Sequence, residues 1–152
     1  MLQPGDKAPG FEAQTQGGES VRLSDYSGQH LALYFYPKDN TPGCTKQACN
    51  LRDHMVDLQT AGVAVIGISP DSVASHDEFV AEFDLPFPLV ADPDKEIINV
   101  YGVWGEKNMY GRKLFGLKRT TFLVDPDGNI MKVFKRPKVK EHAEEILAAL
   151  SG

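Results

Sequence analysis

The sequence predicts an α/β fold built on a buried sheet, and three observations carry that prediction. Two short apolar runs, within His30 to Tyr36 and Val63 to Ser69, are continuous in the manner of strands buried on both faces. Between them, from Cys44 to about Thr60, Ala48, Leu51, Met55 and Leu58 recur at helical spacing, and Gly62 follows as a stop. Strand, helix and strand in that order form a βαβ unit, for which a right-handed crossover is expected. The 152 residues, 41% hydrophobic, suffice for one core, because a chain of this size buries roughly 70% of its unfolded surface. With no repeat, low-complexity tract or linker, a single domain over 1–152 is expected, and its two cysteines are not needed as staples.

The remaining elements follow in chain order. Phe11 to Thr15 and Ser20 to Leu23 flank Gly17-Gly18 and read as a hairpin with a glycine turn. After the second buried strand, Ser72 to Phe83 carries Val73, His76, Phe79, Val80 and Phe83 on one side and ends at Leu85-Pro86, so it reads as a helix. A short strand is expected at Phe87 to Ala91, and Asp92-Pro93 opens a brief helix through Val100. Val103 to Gly116 is a glycine- and aromatic-rich connection without a clear period, and its Trp104, Met109, Tyr110 and Phe115 read as local core or pocket wall. Thr120 to Asp125 and Asn129 to Phe134 face each other across the turn Pro126-Asp127-Gly128. A last helix runs from about Lys140 to Leu150. This is the element order of a thioredoxin-like α/β sandwich with an N-terminal β-hairpin extension.

Charge narrows the function. Lys and Arg total 16 against 21 Asp and Glu, a net charge of -5, which is the wrong sign for a protein that binds nucleic-acid backbone. The local basic run Lys135, Arg136, Lys138 and Lys140 reads as a solvated face. The apolar runs are far too short to span a bilayer and no charged-apolar-small leader opens the sequence, so a cytoplasmic location is expected.

The chemistry is expected where Tyr36 to Cys44 leaves the carboxyl end of the first buried strand and enters the long helix, since open α/β sheets bind ligands at such strand ends. A free cysteine has a pKa of about 8.5, but unpaired N–H groups and the positive dipole end of a helix favour thiolate over thiol. Cys44 in a first helical turn is therefore a candidate nucleophile. Thr41, three residues earlier, can turn its hydroxyl toward the sulfur or a substrate oxygen, or merely stabilise the turn. Arg119 stands at the start of a strand expected to run antiparallel to His30–Tyr36, so it either reaches Cys44 or remains a surface arginine. A guanidinium there would stabilise a thiolate and hold a polar oxygen.

These residues carry a resemblance. Pro37-x-x-x-Thr41-x-x-Cys44 with Arg119 far downstream resembles the PxxxTxxC signature of the peroxiredoxins. Thr41-Pro-Gly-Cys-Thr-x-Gln-Ala-Cys49, Tyr101 to Gly116, Arg119 to Asp125 and Pro4-Gly5-Asp6-x-Ala8-Pro9 are similar to the bacterioferritin-comigratory, or Q-type, subgroup. The resemblance implies peroxiredoxin architecture and a thiol peroxidase acting on hydrogen peroxide and organic hydroperoxides. In it Cys44 is the peroxidatic cysteine, Thr41 and Arg119 position and polarise the peroxide, and Pro37 shapes and shields the pocket. Cys49 matches the resolving cysteine, which condenses with the sulfenic acid to a disulfide. It further implies recycling by thioredoxin or a similar dithiol, no metal or organic cofactor, and a monomer.

Two rival classes fit less well. Thioredoxin-like disulfide oxidoreductases use C-x-x-C, whereas four residues separate Cys44 from Cys49, and Arg119-Thr120 stands where thioredoxins resemble one another in carrying a cis-proline. Plant-type iron–sulfur proteins need further cysteines, and His54 lies roughly 15 Å along a continuous helix from Cys44. A redox-regulated binding or holdase role is compatible with the sequence but nothing demands it. If the helix is regular, the Cα atoms of Cys44 and Cys49 lie about 8.6 Å apart and their side chains about 140° apart. A disulfide does not form beyond about 7 Å without backbone movement, so local unwinding is expected.

Overall fold

A computed structural model describes residues 2–151; the outermost residues of the expected domain, Met1 and Gly152, lie outside them. A five-stranded sheet has the order β5-β4-β3-β8-β9, where β3 is His30–Phe35, β4 Val63–Ser69, β5 Leu89–Ala91, β8 Thr120–Val124 and β9 Ile130–Phe134. β3, β4 and β5 are parallel, whereas β8 runs antiparallel to both β3 and β9. On β3, Ala32 and Tyr34 join one buried cluster with residues of α1 (Pro42–Asp53), α3 (Val73–Phe83) and α5 (His142–Ser151). Leu31, Leu33 and Phe35 join the other, with Ile97 and Ile98 of α4 (Glu96–Val100). Burial on both faces explains why β3 and β4 read as continuous apolar runs rather than alternating ones.

The expected N-terminal hairpin forms from β1 (Glu12–Gln14) and β2 (Ser20–Arg22), joined by a 3-10 turn in which Gly17 and Gly18 take positive φ. Gln16 of that turn accepts from the Leu89 N–H at 2.7 Å and donates to the Phe87 carbonyl at 2.9 Å, covering the free edge of β5. Ser72 caps α3 by accepting from Ser75 N–H at 3.1 Å, and Asp84 ends it in the left-handed region. Among the described residues, no helix is long and apolar enough to cross a membrane.

Two expectations fail. The helix expected from Cys44 to Thr60 is broken: α1 stops at Asp53 and α2 (Met55–Thr60) restarts after His54, whose φ of -110° and ψ of 16° leave the helical region. The His54 N–H turns back to Leu51 O at 3.2 Å while its own ring Nδ1 takes the Asn50 carbonyl at 2.9 Å, so the side chain occupies the acceptor that the backbone normally uses. Val103 to Gly116 takes a regular structure that its sequence does not announce. It contains β6 (Trp104–Met109) and β7 (Arg112–Leu117), a separate antiparallel hairpin closed by Tyr110 and Gly111, both at positive φ. Nor are its aromatics core: Tyr110 is 99% exposed and Phe115 76%, with Trp104 at the rim. The side chain of Met109 lies outside the described residues.

Under α1, the ring of Tyr34 lies against Gly67, where an added Cβ would meet its Cζ at 2.8 Å and its hydroxyl at 2.9 Å. That hydroxyl is buried with no partner among the described residues, and burial, with Cys44 second, pushes the phenol well above its ordinary value. Tyr34→Phe removes an unpaired buried donor and is expected to stabilise the fold by about 1 kcal/mol, an increase of roughly 2–4 °C in Tm; thermal denaturation reads it, and a lower Tm contradicts it. His142 behaves differently: the Thr121 hydroxyl lies 2.8 Å from its Nε2 and Glu145 Oε1 lies 3.0 Å from its Nδ1. Burial lowers its pKa despite the Glu145 carboxylate. Its unfolded form therefore binds a proton more readily, so the contribution to stability is complete above about pH 6.5 and is lost as pH falls below it. Denaturant melts between pH 7 and 5 should show a smaller acid loss for His142→Gln than for the wild type, and an equal loss contradicts the assignment.

Candidate active site

β3 delivers the chain to a loop, Pro37 to Gly43, that turns into α1 at the carboxyl end of the strand. The turn needs one unusual residue, Asn40, at φ of 61°, which asparagine tolerates better than most residues. Thr41 follows as the helix N-cap in extended conformation, and Pro42 fills the first helical position, where its fixed φ and missing N–H fit. The Thr41 hydroxyl does not cap; it donates to Lys38 O at 2.8 Å, which leaves its lone pairs able to accept. The first bond of the helix runs from Thr45 N to Thr41 O at 2.8 Å. The N–H groups of Gly43 and Cys44 precede it and have no partner within the helix.

Cys44 closes this loop with its side chain almost wholly buried, at 1% exposure. The Arg119 guanidinium comes from the other side: Nη2 donates to Cys44 Sγ at 3.2 Å and Nη1 to Gln47 Oε1 at 2.5 Å. This juxtaposition follows from register, because Thr120 pairs with Phe35 at the end of the β3–β8 ladder and sets Arg119 beside the loop. Gly43 permits the approach; a Cβ there would lie 3.2 Å from Arg119 Nη2. Gln47, fully buried one turn beyond Cys44, orients the planar guanidinium so that one fork arm faces the sulfur. The fixed cation lies against the sulfur at the start of a helix whose first N–H groups have no partner within it, an arrangement that favours the negative charge developing when a sulfur attacks an oxygen.

Of the residues singled out in the sequence, Cys44 and Arg119 are in contact, Thr41 stands at the N-cap three residues before the thiol, and Pro37 is half-buried where the loop begins. Cys49 is apart from them. It is half-buried further along the unbroken α1, and both cysteines are free thiols. Gln47 has no separate signal in the sequence beyond its position three residues after a helical nucleophile, which shares its face. Lys107 of β6 has none: it lines, with Lys118, Arg119, Lys135 and Arg136, a cavity of about 650 Å³. Burial, and secondly the Arg119 charge, lower the pKa of its ammonium. The basic run itself is exposed as expected. A groove of about 760 Å³ lined in part by Leu31 and Val124 lies at the opposite end of the β3–β8 ladder and presents no cysteine or histidine.

Asp39, Asp71 and His76 bring ligand-type atoms within 4.8 Å of one another. The carboxylates already accept from Tyr36, Ser75, Ser69 and the Asp39 N–H, so the cluster is a hydrogen-bond network rather than an open ion cage.

A buried cysteine at a helix start beside an arginine, on a thioredoxin-like sheet, defines a class, and residues 4–133 match the family model described as AhpC/TSA family. The chain belongs to the AhpC/TSA family. Peroxiredoxin Bcp of Escherichia coli (strain K12) is 45% identical over 146 residues, covering 96% of this chain and 94% of that one. Peroxiredoxin Bcp of Bacillus subtilis (strain 168) is 41% identical over 149 residues, 98% and 95% of the two chains. A cysteine-to-serine mutant of Xylella fastidiosa PrxQ superposes with a TM-score of 0.92 at 37% identity, covering 99% of this chain and 96% of that one. Within the family the chain is a peroxiredoxin of the bacterioferritin-comigratory, or Q, type, a thiol-dependent peroxidase.

Arg119→Ala is expected to slow oxidation of Cys44 by peroxide on the order of 100-fold, the usual effect of deleting one donor to developing charge. Arg119→Lys keeps the charge without the fork and should recover only part of the rate. Stopped-flow oxidation of the reduced protein measures both, and an unchanged rate in Arg119→Ala would make the arginine purely structural.

Proposed function

We propose that this chain reduces hydrogen peroxide and organic hydroperoxides through Cys44, and the observation that carries the reading is the Arg119–Cys44 contact of 3.2 Å at the start of α1. The Cys44 thiolate attacks the outer peroxide oxygen, the O–O bond breaks, Cys44 becomes a sulfenic acid, and the alkoxide or hydroxide takes from solvent the proton that the thiol released on ionising and leaves as alcohol or water. Thr41 accepts a hydrogen bond from the peroxide while Arg119 and the N–H groups of Gly43 and Cys44 hold the oxygens in line. Pro37 borders the pocket and helps keep bulk water from the sulfenate. A solved relative, the Xanthomonas campestris bacterioferritin comigratory protein, is described by its alkyl peroxide reduction activity, which supports including organic hydroperoxides.

The sulfenic acid is then attacked by the Cys49 thiol, forming the Cys44–Cys49 disulfide and releasing water. Thioredoxin or a similar dithiol reduces it, leaving the reductant as a disulfide and both cysteines as thiols. Because one chain supplies the nucleophile, the resolving thiol and the arginine, a single-domain monomer suffices, and a cytoplasmic setting provides the reductant. As a regular helix separates the two Cα atoms by about 8.6 Å, the start of α1 must unwind before the bond closes. Asn50 bounds the opening. Its amide donates to Lys140 O at 2.9 Å and Glu144 Oε1 at 3.0 Å, and its Oδ1 accepts from Ala143 N–H at 2.7 Å, tying α1 to the start of α5.

Cys44→Ser is expected to abolish peroxide turnover, and Cys49→Ser to keep the first stoichiometric oxidation while losing recycling by thioredoxin. Full recycling by Cys49→Ser would remove Cys49 from the resolving role. Amide hydrogen exchange should lose protection over 44–50 on oxidation while β3, β4 and β8 keep theirs; equal protection in both forms contradicts the unwinding.

A further inference from the structure

Behind the Cys44 loop lies a buried polar cluster that the chemistry above leaves idle. Asp39, only 6% exposed, accepts from the Tyr36 hydroxyl at 2.5 Å on Oδ1, while Ser75 Oγ at 2.8 Å and His76 Nδ1 at 2.7 Å face its Oδ2. The Asp39 N–H donates to Asp71 Oδ2 at 2.8 Å, and the same oxygen accepts from Ser69 Oγ at 2.7 Å. His76 is fully buried on α3, and its Nε2 lies 3.0 Å from the Val90 carbonyl oxygen of β5.

Those partners determine where the protons are. A carbonyl only accepts, so Nε2 of His76 carries a hydrogen. Nδ1 then meets a carboxylate oxygen at 2.7 Å, and two lone pairs at that distance repel, so a further proton lies between them. His142 is the internal contrast, since the Thr121 hydroxyl can donate to its Nε2 and a neutral ring satisfies both partners. The His76–Asp39 pair is thus a proton-bridged clamp with both ring nitrogens engaged. It joins α3 and β5 to a loop position two residues before Thr41 and five before Cys44. Ser75 of α3 reinforces it on the same carboxylate, whereas the tie to α3 from Asn40 to Glu82 at 2.9 Å is exposed and correspondingly weak.

We infer that Asp39 and His76 are positioning residues for the peroxidatic step. Their clamp holds the Pro37–Gly43 loop so that the Thr41 hydroxyl and the N–H groups of Gly43 and Cys44 face the incoming peroxide, without either residue touching it. The inference rests on the reading of Cys44 as the peroxidatic thiol. Misplacement of such groups by about 1 Å can lower a rate by on the order of 100-fold.

The test uses the full chain carrying Cys49→Ser, reduced, with two rates measured at Cys44: oxidation by hydrogen peroxide and alkylation by iodoacetamide. Asp39→Ala is expected to slow peroxide oxidation at least tenfold while alkylation, which needs the thiolate beside Arg119 but no peroxide held in line by Thr41, changes less than about threefold. Asp39→Asn is the conservative rescue. Its amide can donate to the bare Nδ1 of a neutral His76 while its oxygen still accepts from Tyr36, so most of the lost rate should return. A wild-type peroxide rate in Asp39→Ala overturns the inference, as does an equal fall in both rates or an Asp39→Asn variant as slow as Asp39→Ala. Should Asp39→Ala not fold, His76→Gln, which fills the site without the ring that spans both partners, is held to the same peroxide-specific loss and the same refutation. Peroxide turnover surviving in Cys44→Ser, with Cys49 intact, would sink the underlying reading instead, and no ratio among the Asp39 variants mimics that result.

Discussion

The antiparallel register of β8 on β3 is the constraint on which the rest of the site depends. Thr120 opposite Phe35 brings an arginine from residue 119 to a thiol at residue 44, and no local feature of either segment could do so alone. The register is held because β3 and β8 bury side chains on both faces. A slip of one residue would exchange the two apolar faces and carry Arg119 away from the loop. Gly43, Gln47 and Lys107 are consequences of that meeting: the first makes room for the guanidinium, the second turns it, and the third shares its cavity.

In the proposed cycle the same helix serves two incompatible demands. For attack on peroxide, α1 must present Cys44 from a formed first turn, with Pro42 and the N-cap conformation of Thr41 fixing where that turn begins. For disulfide formation the first turns have to open, since a regular helix holds Cys49 on another side. The interactions divide accordingly. The Pro37–Gly43 loop is fastened from below through Asp39, whereas the far end of the opening segment is fastened to α5 through Asn50. Between these anchors the Gln47 Nε2 is buried with no partner among the described residues. A group of that kind weakens the closed form by about 1–3 kcal/mol, which lowers the free energy needed to open it.

Much of this was legible in the sequence where one physical signal dominated. Continuous apolar runs gave β3 and β4, Ser72 and Leu85-Pro86 bracketed α3, and Pro126-Asp127-Gly128 joined β8 to β9. Thr41, Cys44 and Arg119 were visible as residue types at a recognisable spacing. The β6–β7 hairpin was not, because its turn places Tyr110 in a left-handed conformation that aromatic residues seldom adopt, and because exposed Leu114 and Phe115 mimic a core pattern. The break at His54 arises from a side chain taking a backbone acceptor, which periodicity does not register. Asp39 and His76 were hidden for a related reason: their roles exist only once a loop, α3 and β5 have been brought together, 37 residues apart in the chain.

The two-thiol cycle proposed for this one helix unites these observations, and the intact mass of the reduced protein after one equivalent of hydrogen peroxide tests it most directly. The account predicts a product lighter by two hydrogen atoms, with both cysteines blocked to alkylation and the change reversed by a dithiol. A stable product heavier by one oxygen atom, with Cys49 still open to alkylation, would contradict it.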